Sequence, residues 1–133
     1  MKHELALVAD FHSKFGLTDG KSPRHIQTQE FMLRYKLMEE ETQEYLEACA
    51  SSDLTGIADA LGDQLYILIG TILKHGMQDV IEEVFDEIHR SNMSKLDANG
   101  KPIFREDGKI LKSERYFKPD IAKILVSKIT KEE

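Results

Sequence analysis

The sequence predicts an all-α protein with an antiparallel four-helix core and an irregular C-terminal flap. Three observations carry this. Apolar residues recur at helical spacing through four successive segments before residue 97. The breaks between those segments are short and rich in Gly, Ser and Asp, which favours antiparallel neighbours. After Leu96 the periodicity gives way to turn dipeptides. A chain of 133 residues suits one domain, residues 1–133, with a helical core over about 2–96 and a flap and C-terminal segment over about 97–130.

The first helix is expected over 2–15, where Leu5, Val8, Phe11 and Phe15 share a face and Gly16 is a stop. Residues 17–24 hold Asp-Gly and Ser-Pro and read as a loop. A long second helix should start at Ser22 or His25 and run to Ala50. Asp53 then caps a third, from Leu54 to His75, closed by Gly76. The fourth begins at Asp79 with Val80, Ile81, Val84, Phe85 and Ile88 as its apolar stripe. Asn99-Gly100 and Asp107-Gly108 are turn signals, and Ile103-Phe104 and Ile110-Leu111 flank the second, the pattern of a short β-hairpin. Pro119-Asp120 opens a last amphipathic segment from Ile121 to Ile129.

Composition narrows the function. The chain is 41% apolar and 32% charged, a globular composition. Its net charge of −6 argues against general binding to a nucleic-acid polymer. The longest apolar run, Leu65–Leu73, is short for a membrane span, and no secretory signal is expected. The single Cys49 fits a reducing cytoplasm. Charge is unevenly placed. Lys95 to Lys118 holds seven bases against four acids, a +3 flap on a body of −9, which suits a small anionic ligand.

Two acidic clusters are the most informative feature. Glu40, Glu41 and Glu44 lie in RYKLMEEETQEYLEA, and Asp59 and Asp63 in GIADALGDQLYILIGTIL. On a helix Glu40 and Glu44 are about 40° apart. The glutamates interrupt the line that Leu33 and Leu37 begin. The second helix-like segment is apolar on nearly every side, so its aspartates would be buried and costly without a cation or strong donors. Five carboxylates on facing helices could surround one or two Mg²⁺ ions, with Mn²⁺ a substitute. The plain alternatives are a solvated glutamate face, and aspartates satisfied by Arg, Ser or backbone donors. No Cys–His cluster exists for zinc, and Asp86-x-x-His89 is the sole approach to a di-iron motif.

These strings resemble the all-α NTP pyrophosphohydrolases, the MazG-like and phosphoribosyl-ATP pyrophosphohydrolase-like superfamily. The resemblance rests on Glu40-Glu41-Thr42-Gln43-Glu44, then Asp59-Ala60-Leu61-Gly62-Asp63, then HRSNMSKL and NGKPIFREDGKILK, as in its phage and bacterial branch. It covers about residues 28–120. One departure is Ala60, where many members carry Glu, so Asp59 must substitute from one position earlier. The resemblance implies an Mg²⁺-dependent enzyme that splits a (d)NTP into a (d)NMP and pyrophosphate, in nucleotide-pool sanitation. It implies Glu41, Glu44 and Asp63 as metal ligands, with Glu40 a further ligand or the general base. It also implies a homodimer or homotetramer. For the triphosphate, Asn92, Lys95, Lys109 and Lys112, with Arg105 behind them, are the candidates by chemistry. Tyr66, about a turn after Asp63, is a candidate wall for the nucleoside.

Two other readings stand beside this one. The substrate could be phosphoribosyl-ATP, a reading that the long tail after SNMSK ranks lower. Alternatively the helices could form a non-enzymatic dimer or adaptor whose acids pair with arginines such as Arg34 or Arg90.

Overall fold

The computed structural model describes residues 1–131 and contains five helices and one two-stranded hairpin: α1 (Lys2–Lys14), α2 (Thr28–Ala50), α3 (Leu54–Lys74), α4 (Ile81–Met93), β1 (Ile103–Phe104), β2 (Ile110–Leu111) and α5 (Ile121–Lys131). The all-α expectation holds. The chain divides into two compact units at Asp79/Val80.

In the first unit α2 and α3 form the most extensive interface, and α1 packs on α3. Arg34, early in α2, bonds to Thr71 late in α3, and Thr42 meets Gln64 near the middle of both. The two helices are therefore antiparallel, as the three-residue loop between them requires. Asp53 caps α3 by accepting from Gly56 N at 3.0 Å. On α1 the buried stripe is Leu5, Val8 and His12; Phe11 and Phe15, expected on it, are 39% and 69% exposed. Positions 5, 8 and 12 track the 3.6-residue repeat, and the two phenylalanines stack on each other at its edge (4.4 Å).

The second helix starts at Thr28, later than Ser22 or His25. The intervening strand of chain is tied across the end of α3. Gly20 N donates to Leu73 O (3.0 Å), Arg24 N to His75 O (2.9 Å) and Arg24 Nε to Lys74 O (2.9 Å). Lys74 Nζ donates back to Thr18 O (2.8 Å). Carbonyls that a helix end leaves open are satisfied this way. The crossing is so close that a Cβ on Gly76, whose φ is +67°, would stand 2.0 Å from Ser22 O.

The outer face of α3 departs from expectation. The helix was expected to be buried nearly all round, yet Leu61, Leu65 and Leu68 are about half exposed (51%, 49% and 48%). Two neighbouring helices cannot cover a cylinder that is apolar on every side. By length and composition α3 is also long and apolar enough to cross a membrane, contrary to the estimate from its longest unbroken run. It packs against α1 and α2, with Ile69, Ile72 and Leu73 buried in its C-terminal half.

In the second unit α4 packs on α5. The fourth helix begins at Ile81 instead of Asp79, with Val80 buried and Phe85 62% exposed. Serine hydroxyls stitch the unit together. Ser91 Oγ donates to Phe117 O (2.8 Å), and Ser113 Oγ to Leu96 O (2.7 Å). The hairpin pairs Ile103 with Leu111 and Phe104 with Ile110 around Gly108 at φ +88°.

Candidate active site

The facing line of α2 reads Glu30, Arg34, Leu37, Glu41, Glu44, Ala48, and that of α3 reads Gly56, Ala60, Asp63, Ile67, Gly70, Lys74. These heptad-spaced positions meet along one seam. It carries charge at two levels, separated by Leu37 and Ile67.

At the lower level Glu41, Glu44 and Asp63 converge, each offering an oxygen within 4.8 Å of the others. No Lys, Arg or His forms an ion pair with them among the described residues. Glu41 Oε2 is buried and has no hydrogen-bond partner. The Glu41 carboxyl is pushed up to about 7, first by burial, then by its contact with Glu44 and by the charges of Glu44, Asp63 and Asp59. Three carboxylates offering hard oxygen donors this close together, one of them carrying a buried oxygen without a partner, fit a divalent cation. Glu40 and Asp59 are exposed and lie outside the converging set. Glu40 is turned about 100° from Glu41 on the helix. The predicted set of five carboxylates is thus three in contact and two beside it.

At the upper level the charges are basic and engaged. Arg34 Nε donates to Thr71 Oγ1 (3.0 Å) and Nη2 to Ile67 O (2.9 Å). His12 Nδ1 donates to Asp19 Oδ1 (2.6 Å), and Lys74 lies 3.8 Å from Glu30. Burial lowers the Arg34 pKa, with the Asp19 charge opposing. Next to this level a cavity of about 420 Å³ opens between α1, α2 and α3, walled by Phe11, Leu33, Leu37 and Tyr66. Tyr66 is 41% exposed and meets Phe11 edge-on at 5.6 Å. Tyr66 is a candidate from the sequence, whereas Arg34, His12 and Lys74 are not singled out there as site residues. The signal was there: Arg34 sits two turns before Glu41 on the apolar line, where a surface arginine does not belong.

The other substrate candidates all lie in the second unit. Asn92 is exposed near the end of α4, and Lys95 is half-buried just beyond it. Lys109 sits in the hairpin turn, and Lys112 Nζ stands over the Tyr116 ring at 4.7 Å. Arg105 is committed to Asp107 through two bonds, one of them Nε to Oδ1 at 2.8 Å. Arg90 pairs with Glu87 at 2.8 Å. Within the chain, neither Arg34 nor Arg90 forms an ion pair with the acid cluster among the described residues.

The family profile described as phosphoribosyl-ATP pyrophosphohydrolase matches residues 8–92, which include both acidic clusters and the whole seam. The chain belongs to this family. It is a member of the MazG-like pyrophosphohydrolases, enzymes that generally use a divalent metal. Its fold is that of a protein from Exiguobacterium sp. 255-15 titled a "putative NTP pyrophosphohydrolase", with 23% identity, 98% of each chain covered and a TM-score of 0.56. Among curated proteins no relative matches.

Proposed function

We propose that this family member is an Mg²⁺-dependent nucleoside triphosphate diphosphatase that converts a (d)NTP into a (d)NMP and pyrophosphate. Nucleotide-pool sanitation in the cytoplasm is the role that suits this chemistry. The observation that carries the reading is the convergence of Glu41, Glu44 and Asp63 on one another, with a buried oxygen of Glu41 left without a partner. Those three residues hold the ion, with Mn²⁺ able to replace it. A bound ion supplies charge neutralisation at the phosphates and activation of water. Glu40, exposed beside the cluster, accepts the proton of the attacking water. Asp59 adds negative charge at the rim. The cavity beside Tyr66 receives the nucleoside. In the second unit, Asn92, Lys95, Lys109 and Lys112 are candidates by chemistry for binding phosphate. Arg105 orders the hairpin through Asp107.

The match spans the boundary between the two compact units, which supports reading the chain as one domain. The half-exposed Leu61, Leu65 and Leu68 support a homodimer or homotetramer in which a second copy covers α3. Light scattering on the purified protein checks this. No membrane or nucleic-acid partner is part of the reading.

Incubation with a panel of (d)NTPs and Mg²⁺ should release pyrophosphate. Undiminished release by Glu41→Ala/Glu44→Ala would remove the cluster from the mechanism. The family profile favours a second reading, with phosphoribosyl-ATP as substrate. Faster turnover of that compound than of every NTP would establish it.

A further inference from the structure

We propose that Arg34 reads the nucleobase and selects bases that present an exocyclic carbonyl oxygen over adenine. This deepens the diphosphatase reading and rests on it for the placement of the phosphates. Arg34 is 8% exposed and shares the Glu41 face of α2. It precedes Glu41 by seven residues, about 10 Å along the axis. A nucleotide whose phosphates lie at the acid cluster would bring its base to Arg34 by extending that distance past Leu37 into the cavity.

The guanidinium is seated for recognition. Its Nε and Nη2 are fixed by Thr71 Oγ1 and Ile67 O, and Thr71 is itself held by a bond to Ile67 O at 2.8 Å. Both acceptors are neutral. Nη1 makes no hydrogen bond among the described residues, and no carboxylate pairs with Arg34. On α3, Gly70 gives up a side chain to make room. A Cβ there would stand 2.7 Å from Arg34 Nη2 and 3.0 Å from His12 Nε2.

The cavity beside it has the character of a base pocket. Its volume of about 420 Å³ and its Phe11, Leu33, Leu37 and Tyr66 walls suit a flat, largely apolar ring. Charge points to a neutral ring in preference to a second anion. Lys74 already faces Glu30, and Asp19 offsets Arg34. What remains is an N–H donor in a mostly apolar chamber whose wall also carries His12, Glu30 and Lys74. Set against the purine C6 or pyrimidine C4 substituent, that donor meets O6 of guanine and O4 of uracil and thymine. At that position adenine presents an amino donor, and its acceptors are the ring nitrogens.

The test compares kcat/KM for GTP, UTP and ATP in the wild type, Arg34→Lys and Arg34→Gln. The wild type should favour GTP and UTP over ATP by about tenfold, toward the low end of what a bidentate base contact gives. Both variants should bring those ratios near one with Mn²⁺ binding to the metal site unchanged, because Lys keeps the charge and loses the planar fork. A wild-type ratio of one, or a wild-type ratio retained in both variants, would overturn the proposal. A second measurement needs neither a variant nor hydrolysis. Guanosine and uridine titrated into the wild type should shift the Arg34 guanidinium NMR signals, and adenosine should not. Equal shifts with adenosine would refute base selection. Selective shifts in a protein that cleaves no NTP would retain the pocket and discard the diphosphatase.

Discussion

The two charged levels of the α2–α3 seam solve burial in opposite ways. At the upper level Arg34, His12 and Lys74 are each less than a tenth exposed, and each has an acceptor within the chain. At the lower level three carboxylates face one another with no Lys, Arg or His paired to them among the described residues, and one oxygen has no partner. A charge that the fold itself satisfies belongs to structure or to reading a neutral ligand. A cluster that the fold leaves unsatisfied is the candidate site for a ligand that arrives from outside. The difference lies in packing, since both levels occupy the same heptad positions.

The largest expected effect is on catalysis. Glu41→Ala/Glu44→Ala should cut pyrophosphate release by at least about 100-fold, because even the partners behind metal ligands are worth 10–100-fold. A loss comparable to that of a surface variant would erase the contrast.

Stability should move in opposite directions at the two levels. Arg34→Ala removes a charged hydrogen-bond donor from two acceptors and should cost about 2 kcal/mol in urea unfolding. Glu41→Gln relieves like-charge repulsion and should stabilise the metal-free protein. Equal destabilisation by both would mean that the acid level is satisfied after all.

Mg²⁺ at 100 times its dissociation constant should stabilise the wild type by about 2.7 kcal/mol, and Glu41→Gln by much less. The pH dependence sharpens the same point. Because the Glu41 pKa is raised, the fold favours the protonated form. Its stabilising contribution is complete below the unfolded value near 4.5 and is lost as pH rises through about 7. Metal-free protein should therefore melt lower at pH 8 than at pH 5. Saturating Mg²⁺ should abolish that trend, since the ion binds the deprotonated carboxylates. The smallest effect is expected at Asp59, where Asn should change stability by no more than about 0.5 kcal/mol.

Much of this was legible in the chain. Asp53, Gly16 and Gly76 mark helix ends through local backbone chemistry, and Asp107-Gly108 marks the hairpin for the same reason. Glu41, Glu44 and Asp63 could be singled out because carboxylates on an apolar line are costly. What stayed hidden depends on partners distant in sequence. The late start of α2 follows from the tie of Gly20 and Arg24 to the end of α3, some 50 residues away. The seat of Arg34 requires Gly70, which reads locally as a weak helix residue. Periodicity placed Phe11 in the core, and only the packing of α1 on α3 turns His12 inward.

Titration calorimetry of the metal-free protein with Mg²⁺, wild type against Asp63→Ala, addresses the acid level most directly. Saturable binding by the wild type, lost in the variant while its helical circular dichroism is retained, is the predicted result. Absence of binding by the wild type, or identical isotherms for the two proteins, would contradict a metal site on this seam.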